Sequence, residues 1–264
     1  MKVAFIGGGN MAGALIGGML QAGFNAPEID VLEIDAARRA DLAKRHQVRV
    51  HERPADWLQA SEVIVLAVKP QQMHEAAAAI QHYLKQQLVL SIAAGVRAET
   101  ISAWLASATI VRAMPNMPAL IRAGITAAVA QPEVNAAQKT AADQILRAVG
   151  AVLWLDDEAM LDAVTALSGS GPAYIFYFIE AMQAAALDMG FNEAQARALT
   201  LHTFAGSAQL AAQSHETARA LREKVTSKGG TTAAAVASFE RDKVDEAIAR
   251  AIKAAAARAR ELGS

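Results

Sequence analysis

The stretch KVAFIGGGNMAGAL, Lys2 to Leu15, decides how this chain is built. A short apolar run, suited to a strand, passes directly into glycines and then into the helix-forming run MAGALIGGML. Gly7, Gly9 and Ala12 match the pattern G-x-G-x-x-G/A at that junction. Each of the three has a physical reason to be small. Gly7 permits the tight turn, Gly9 lets backbone approach a pyrophosphate, and Ala12 lets the helix lie close to the strand. Gly8, Asn10 and Met11 complete the turn at the positive end of the helix, where phosphate oxygens are held. Glycines present only for shape are the competing reading. Glu33, at the end of the second strand and about twenty positions beyond Ala12, favours a dinucleotide. Gly13 and Gly17 extend the close-packing face; the apolar segment is too short for a membrane dimer motif.

Which dinucleotide binds depends on the end of that second strand. Glu33 and Asp35 offer acceptors for a ribose 2′-hydroxyl, which favours NAD, whereas Arg38 and Arg39 offer a clamp for a 2′-phosphate, which favours NADP. The expectation is NADP, with NAD open, and with at least one arginine an ordinary solvated charge. Two further loops follow strands at the edge where a doubly wound sheet holds its ligand. They are AVKPQ, with Ala67, Val68, Lys69 and Pro70, and RAMPNMP, with Met114, Pro115 and Asn116. The prolines stop a helix from starting at once. Lys69 is suited to a phosphate or ribose and Asn116 to an amide or a substrate group; plain turn chemistry is the alternative for either loop taken alone.

Working outward, the chain has two textures. Up to Asp157, β-rich runs (KVAFIG, IDVLEI, VIVLAV, LVLSIAA, TIVRAM, ITAAVA, AVLWL) alternate with amphipathic helical segments, which predicts parallel strands with crossover helices. After Glu158 the strands cease and five helical stretches follow, with Asn192 and Gln195 as a capping box and Gly190 as a stop. The expected architecture is a Rossmann-type doubly wound α/β sheet over residues 1–158 and an all-helical domain over residues 159–264. The hydrophobic fraction of 53% is largely alanine and aromatics are only 5%, a balance suited to closely approaching helices and subunit contacts. A net charge of −1 supplies no field for nucleic acid. No secretory signal or spanning segment is expected from the sequence, and the absence of cysteine suits a cytoplasmic location.

One segment contradicts the helical texture around it: VTSKGGTT, Val225 to Thr232. Two adjacent glycines cost a helix interior about 2 kcal/mol relative to alanine. Read as a helix end, a glycine turn and a new helix start, the segment exposes backbone N–H groups from Gly229 to Thr232 as a nest for a small carboxylate. A bare helix corner with a threonine cap is the alternative. Other chemistry is excluded more simply: the six histidines are scattered without a metal-binding pair, and SGSGP lacks the order of a serine nucleophile elbow. No metal site is expected. Hydride transfer requires none of these groups.

The ordered set IGGGNMAGAL, AVKP, RAMPNMPAL, SGSGPAY and LREKVTSKGGTTAAAVASFE, covering nearly the whole chain, resembles the pyrroline-5-carboxylate reductase family. The resemblance implies hydride delivery from NAD(P)H to the C=N carbon of 1-pyrroline-5-carboxylate, the last step of proline biosynthesis. It also implies a helical domain that forms a homodimer or a higher homo-oligomer. Carried over, Gly230 and Thr231 would hold the substrate carboxylate through backbone N–H groups, with Gly229 in the same turn. Thr232 would donate its hydroxyl to the imine nitrogen, and Val225 and Ser227 would line the pocket. Lys228 stands where the family usually has proline, and Met117 where threonine is common. A β-hydroxyacid dehydrogenase shares the two-domain plan, but that family needs a lysine on the first long helix of its second domain, and here the first lysine after Ala159 is Lys224. A non-catalytic dinucleotide sensor is the remaining rival.

Overall fold

The computed structural model describes residues 1–263. Its N-terminal part alternates β1 (Val3–Ile6), α1 (Asn10–Gln21), β2 (Ile29–Leu32), α2 (Ala36–His46), β3 (Arg49–His51), β4 (Val63–Leu66), α3 (Met73–Ile80), β5 (Leu88–Ser91), α4 (Ala98–Leu105), β6 (Ile110–Met114), β7 (Gly124–Ala130), α5 (Ala136–Arg147) and β8 (Gly150–Trp154). The strands form one sheet in the order β3-β2-β1-β4-β5-β6-β7-β8. Neighbours are parallel except β6 and β7.

Strand chemistry explains the two covered faces. Val3 and Phe5 point into one core with Leu15, Ile16 and Met19 of α1 and Ile145 of α5; Ala4 and Ile6 point into another with Ile80 of α3 and Ile101 of α4. A strand buried on both sides has no polar face to show, which is why VIVL and LVLS are almost wholly apolar. The parallel order places the loops after β1, β2, β4 and β6 at one edge, and the change of direction between β1 and β4 is the crevice at which such sheets bind ligands.

Two features differ from the sequence reading. β3 has no strand-like run; it is a short edge strand held by charge, with Arg49 Nε and Nη2 donating to Asp30 at 2.9 and 2.6 Å and His51 Nε2 lying 2.6 Å from the same carboxylate. β7 runs antiparallel to β6, because the linking segment carries only a 3₁₀ turn (Met117–Ile121) and no crossover helix.

The described chain divides into two compact units, residues 1–170 with 255–263, and Gly171–Ala254. The division thus comes later than the change of texture at Ala159. Helix α6 (Met160–Val164) packs on the sheet, where Leu161 is buried with Ala127 and Val129 of β7. Arg97 donates to Asp162 on α6 at 2.7 Å, and Arg112 of β6 pairs with Glu158 at 2.5 Å.

The second unit contains α7 (Gly171–Asp188), α8 (Glu193–Gln213), α9 (Ala218–Lys224) and α10 (Thr231–Arg241); α11 (Val244–Leu262) ends the described chain. α7 stops at Gly190, whose φ is +94°, with Phe191 N–H donating to Ala186 O at 3.1 Å. The predicted capping box is present: Gln195 N–H donates to Asn192 Oδ1 at 2.9 Å, and Asn192 N–H to Gln195 Oε1 at 3.1 Å. Among the described residues no helix is long and apolar enough to cross a membrane, and no cluster of side chains could hold a metal ion.

Candidate functional site

The glycine turn after β1 is fixed from both sides. Gly7 has φ +99°, and a Cβ there would lie 2.8 Å from Val68 Cγ1 and 2.9 Å from Ala67 O, so only glycine lets the loop after β4 close against it. Gly7 N–H donates to Leu32 O at 2.8 Å and Gly8 N–H to Glu33 Oε2 at 2.9 Å. Beyond them the backbone is open: a Cβ on Gly9 would meet nothing within 4 Å, and Gly9 caps α1 without a side-chain bond. The first helical bond is Gly13 N–H to Gly9 O. Among the described residues, the N–H groups of Gly9, Asn10, Met11 and Ala12 therefore have no protein partner. Four donors at the positive end of a 12-residue helix fit a pyrophosphate. Of these residues Gly9 and Asn10 line a cavity of about 520 Å³ that also reaches Arg38.

At the end of β2 the acidic side chains are engaged within the protein. Glu33, expected at the ribose, is only 6% exposed. Its Oε2 accepts from Gly8 and its Oε1 from Asp35 N–H at 2.9 Å, so the carboxylate braces the turn from beneath. Asp35 caps α2 by accepting from Arg38 N–H at 2.8 Å. The two arginines have different roles. Arg39 is turned back onto the chain, donating from Nη1 to Glu33 O and Ile34 O. Arg38 lines the cavity, with no side-chain partner among the described residues.

At the neighbouring strand ends, Ala67 N–H donates to Ile6 O at 2.8 Å, which stitches the β4 loop to β1. Lys69 is exposed and without a partner among the described residues, and Pro70 opens a 3₁₀ turn behind it. After β6, Pro115 is buried and Met114 half-buried. Asn116 Oδ1 accepts from Ile125 N–H at 3.0 Å, which leaves its NH₂ free to donate. Gly7, Gly8, Gly9, Ala67 and Val68 are thus brought together around one turn.

In the second unit, VTSKGGTT has the predicted form. α9 ends at Lys224, Gly229 turns at φ +73°, and Gly230 caps α10. The Gly230 amide differs from expectation: its N–H donates to Ser227 O at 3.0 Å and closes the turn. The open row instead runs through Thr231, Thr232 and Ala233, whose N–H groups have no partner among the described residues; the next amide, Ala234, donates to Gly230 O. Val225 and Ser227 are exposed and Thr232 is half-buried, with its hydroxyl unpaired among the described residues.

Sequence reasoning missed part of the cavity wall. Leu120 and Arg122 reach it from the 3₁₀ turn after β6, and His46 from the last turn of α2. Burial, reinforced by Arg45, lowers the His46 pKa below the usual imidazole range, with Asp41 opposing. The signal was Gly17, where a Cβ would lie 3.3 Å from His46 Cε1.

Comparison with known proteins covers the whole chain. The profile described as pyrroline-5-carboxylate reductase dimerisation matches residues 158–262, and that described as NADP oxidoreductase coenzyme F420-dependent matches residues 2–95. The pyrroline-5-carboxylate reductase of Pseudomonas aeruginosa is 44% identical over 263 residues, covering 99% of this chain and 96% of the relative. That of Haemophilus influenzae is 40% identical over 263 residues, covering 98% and 97%. Among solved structures, a pyrroline-5-carboxylate reductase from Coxiella burnetii superposes with a TM-score of 0.94 at 38% identity, covering 100% of this chain and 98% of that one. The pyrroline carboxylate reductase of Plasmodium falciparum, solved with NADP bound, gives 0.90 at 27% identity, covering 100% and 98%.

Proposed function

The chain belongs to the pyrroline-5-carboxylate reductase family, and from that premise we propose that it reduces 1-pyrroline-5-carboxylate to L-proline with NADPH, the last step of proline biosynthesis. The single observation that carries this reading is the 44% identity to a reductase of that name over 99% of the chain. The open amide row at the start of α1 supports a nucleotide independently of any relative.

NADPH supplies the hydride when bound; the rest is done by the chain. Gly9, Asn10, Met11 and Ala12 hold the pyrophosphate through backbone N–H, with Gly7 and Gly8 shaping the turn. Arg38 meets the 2′-phosphate, Lys69 a ribose or phosphate oxygen, and the Asn116 NH₂ an amide carbonyl. Ala67, Val68, Pro70, Met114 and Pro115 form the wall. Glu33 supports the turn from below rather than touching the ribose, which favours NADP over NAD.

The substrate is a cyclic imine bearing a carboxylate. Thr231, Thr232 and Ala233 hold that carboxylate through N–H, each charge-assisted bond contributing about 1.5–3 kcal/mol, with the helix dipole in support. Gly229 and Gly230 shape the turn, and Val225 and Ser227 line it. The Thr232 hydroxyl donates to the imine nitrogen and relays a proton from water; a protonated imine accepts hydride readily, so no stronger acid is required. The helical region forms a homodimer or larger homo-oligomer, and the protein acts in the cytoplasm.

The test is to mix the purified protein with NADPH and 1-pyrroline-5-carboxylate and follow loss of reduced-cofactor absorbance, with NAD and 3-hydroxyisobutyrate as the contrasting pair. Turnover in the first mixture alone is expected; silence in both would favour a dinucleotide sensor. Thr232→Ala is expected to lower kcat about a hundredfold, and unchanged turnover would remove Thr232 from the mechanism.

A further inference from the structure

We propose that Arg39 is a positioning residue for cofactor selectivity: bridging Glu33 O and Ile34 O, it locks the β2–α2 loop so that Arg38 alone faces the 2′-phosphate. The inference rests on the NADP reading above and adds what determines the preference.

Consecutive helical residues point about 100° apart, at 3.6 residues per turn, so Arg38 and Arg39 leave the helix in different directions. The structure gives them different surroundings. The Arg39 side chain is only 18% exposed. Its Nη1 donates to Glu33 O at 2.8 Å and to Ile34 O at 2.7 Å, and its Nη2 lies 3.5 Å from Glu52 Oε2. These bonds engage the guanidinium with the protein itself. Arg38 has only its backbone N–H engaged, on Asp35, and its side chain lines the cavity beside Gly8 and Gly9.

The pinned loop withdraws the acid that would favour NAD. With both its flanking backbone and its side-chain oxygens bonded, Glu33 remains beneath the turn. A ribose hydroxyl would have to reach a carboxylate that is only 6% exposed and already accepts from Gly8 and Asp35 N–H. The same clasp holds Ile34 out at 76% exposure, an apolar surface suited to one face of a purine. Lysine at position 39 would keep the charge but, as one ammonium on a flexible stem, could not serve the two carbonyls and the Glu52 carboxylate together as Nη1 and Nη2 of the rigid guanidinium do. That separates positioning from simple charge.

The experiment is calorimetric titration of the full-length protein with NADPH, NADH, 2′-AMP and 5′-AMP, with the melting temperature measured alongside. Arg38→Ala is expected to weaken NADPH and 2′-AMP on the order of ten- to a hundredfold, as for a lost charge-assisted contact, and to leave NADH and 5′-AMP unchanged. Arg39→Ala and Arg39→Lys are both expected to lower the NADPH-to-NADH affinity ratio on the order of tenfold, as for one lost hydrogen bond to a charged group. A ratio within twofold of wild type in the Arg39 variants, or full rescue by lysine alone, overturns the inference while the cofactor assignment stands. Failure of the wild-type protein to bind NADPH removes the assignment and the inference together.

Discussion

Every residue of β1, β2, β4 and β5 in the sheet unit is buried, whereas in the helical unit α7 buries only Ala186 and α10 buries nothing. The two units are made of similarly apolar sequence, yet one has covered its apolar surface and the other has not. Ile175, Phe176, Tyr177 and Phe178 are consecutive and all exposed, so the apolar surface runs right around α7. A helix that is hydrophobic on all sides belongs in an interior. The interior missing here is one that a second copy can supply, which agrees with the dimerisation profile over residues 158–262. The sheet unit folds around its own core; the helical unit leaves much of its apolar surface exposed in the single chain.

The comparison predicts different responses to the same substitution. The largest effect is expected in the stripe Ile175, Phe178 and Met182, spaced as one helical face and exposed in the single chain. Phe178→Asp should place an unpaired charge in the subunit contact, cost more than about 4 kcal/mol and shift sedimentation to monomer. Ile34→Asp, on the still more exposed isoleucine of the sheet unit, should change stability by less than about 0.5 kcal/mol and leave assembly intact. Equal responses would break the comparison.

Next in size is Phe5→Ala, which removes a fully buried ring from the sheet core. It should cost about 3–5 kcal/mol and lower the melting temperature by on the order of ten degrees without changing subunit number. A smaller loss than that of Phe5 sharpens the picture of the sheet's edge. Trp154 Nε1 donates to Asp143 at 2.9 Å, and Arg147 Nε at 2.5 Å. Burial alone would raise the Asp143 pKa, but these hydrogen bonds hold it below the usual carboxylate range. A depressed folded-state pKa contributes stability above the ordinary value and loses it as pH falls through the folded one. Trp154→Phe should therefore cost about 1 kcal/mol at neutral pH, with the difference from wild type shrinking in acid denaturation series below the ordinary carboxylate range.

What was legible in the sequence follows from how local each feature is. The strand–glycine–helix junction at Gly7 to Ala12, the caps at Asn192 and Gly190, and the break at Gly229 and Gly230 are set by neighbours within a few residues, and all appear in the fold. The roles of Glu33 and Arg39 were not legible, because residue type allows both a ligand contact and a backbone brace, and only packing decides. β3 was hidden for a similar reason: its pairing is held by Asp30, some twenty residues earlier in the chain, rather than by its own pattern. The donor row at the glycine turn loses Gly230 and gains Ala233 because the Gly230 amide closes its own turn, a choice of φ and ψ that composition does not state.

The most direct test of the carboxylate nest is the ratio of kcat/KM for 1-pyrroline-5-carboxylate to that for 1-pyrroline, which lacks the carboxylate, at saturating NADPH. The open amides at Thr231 to Ala233 predict that the carboxylated substrate is favoured by on the order of a hundredfold or more, as for two charge-assisted hydrogen bonds. Equal efficiency on the two rings would contradict it.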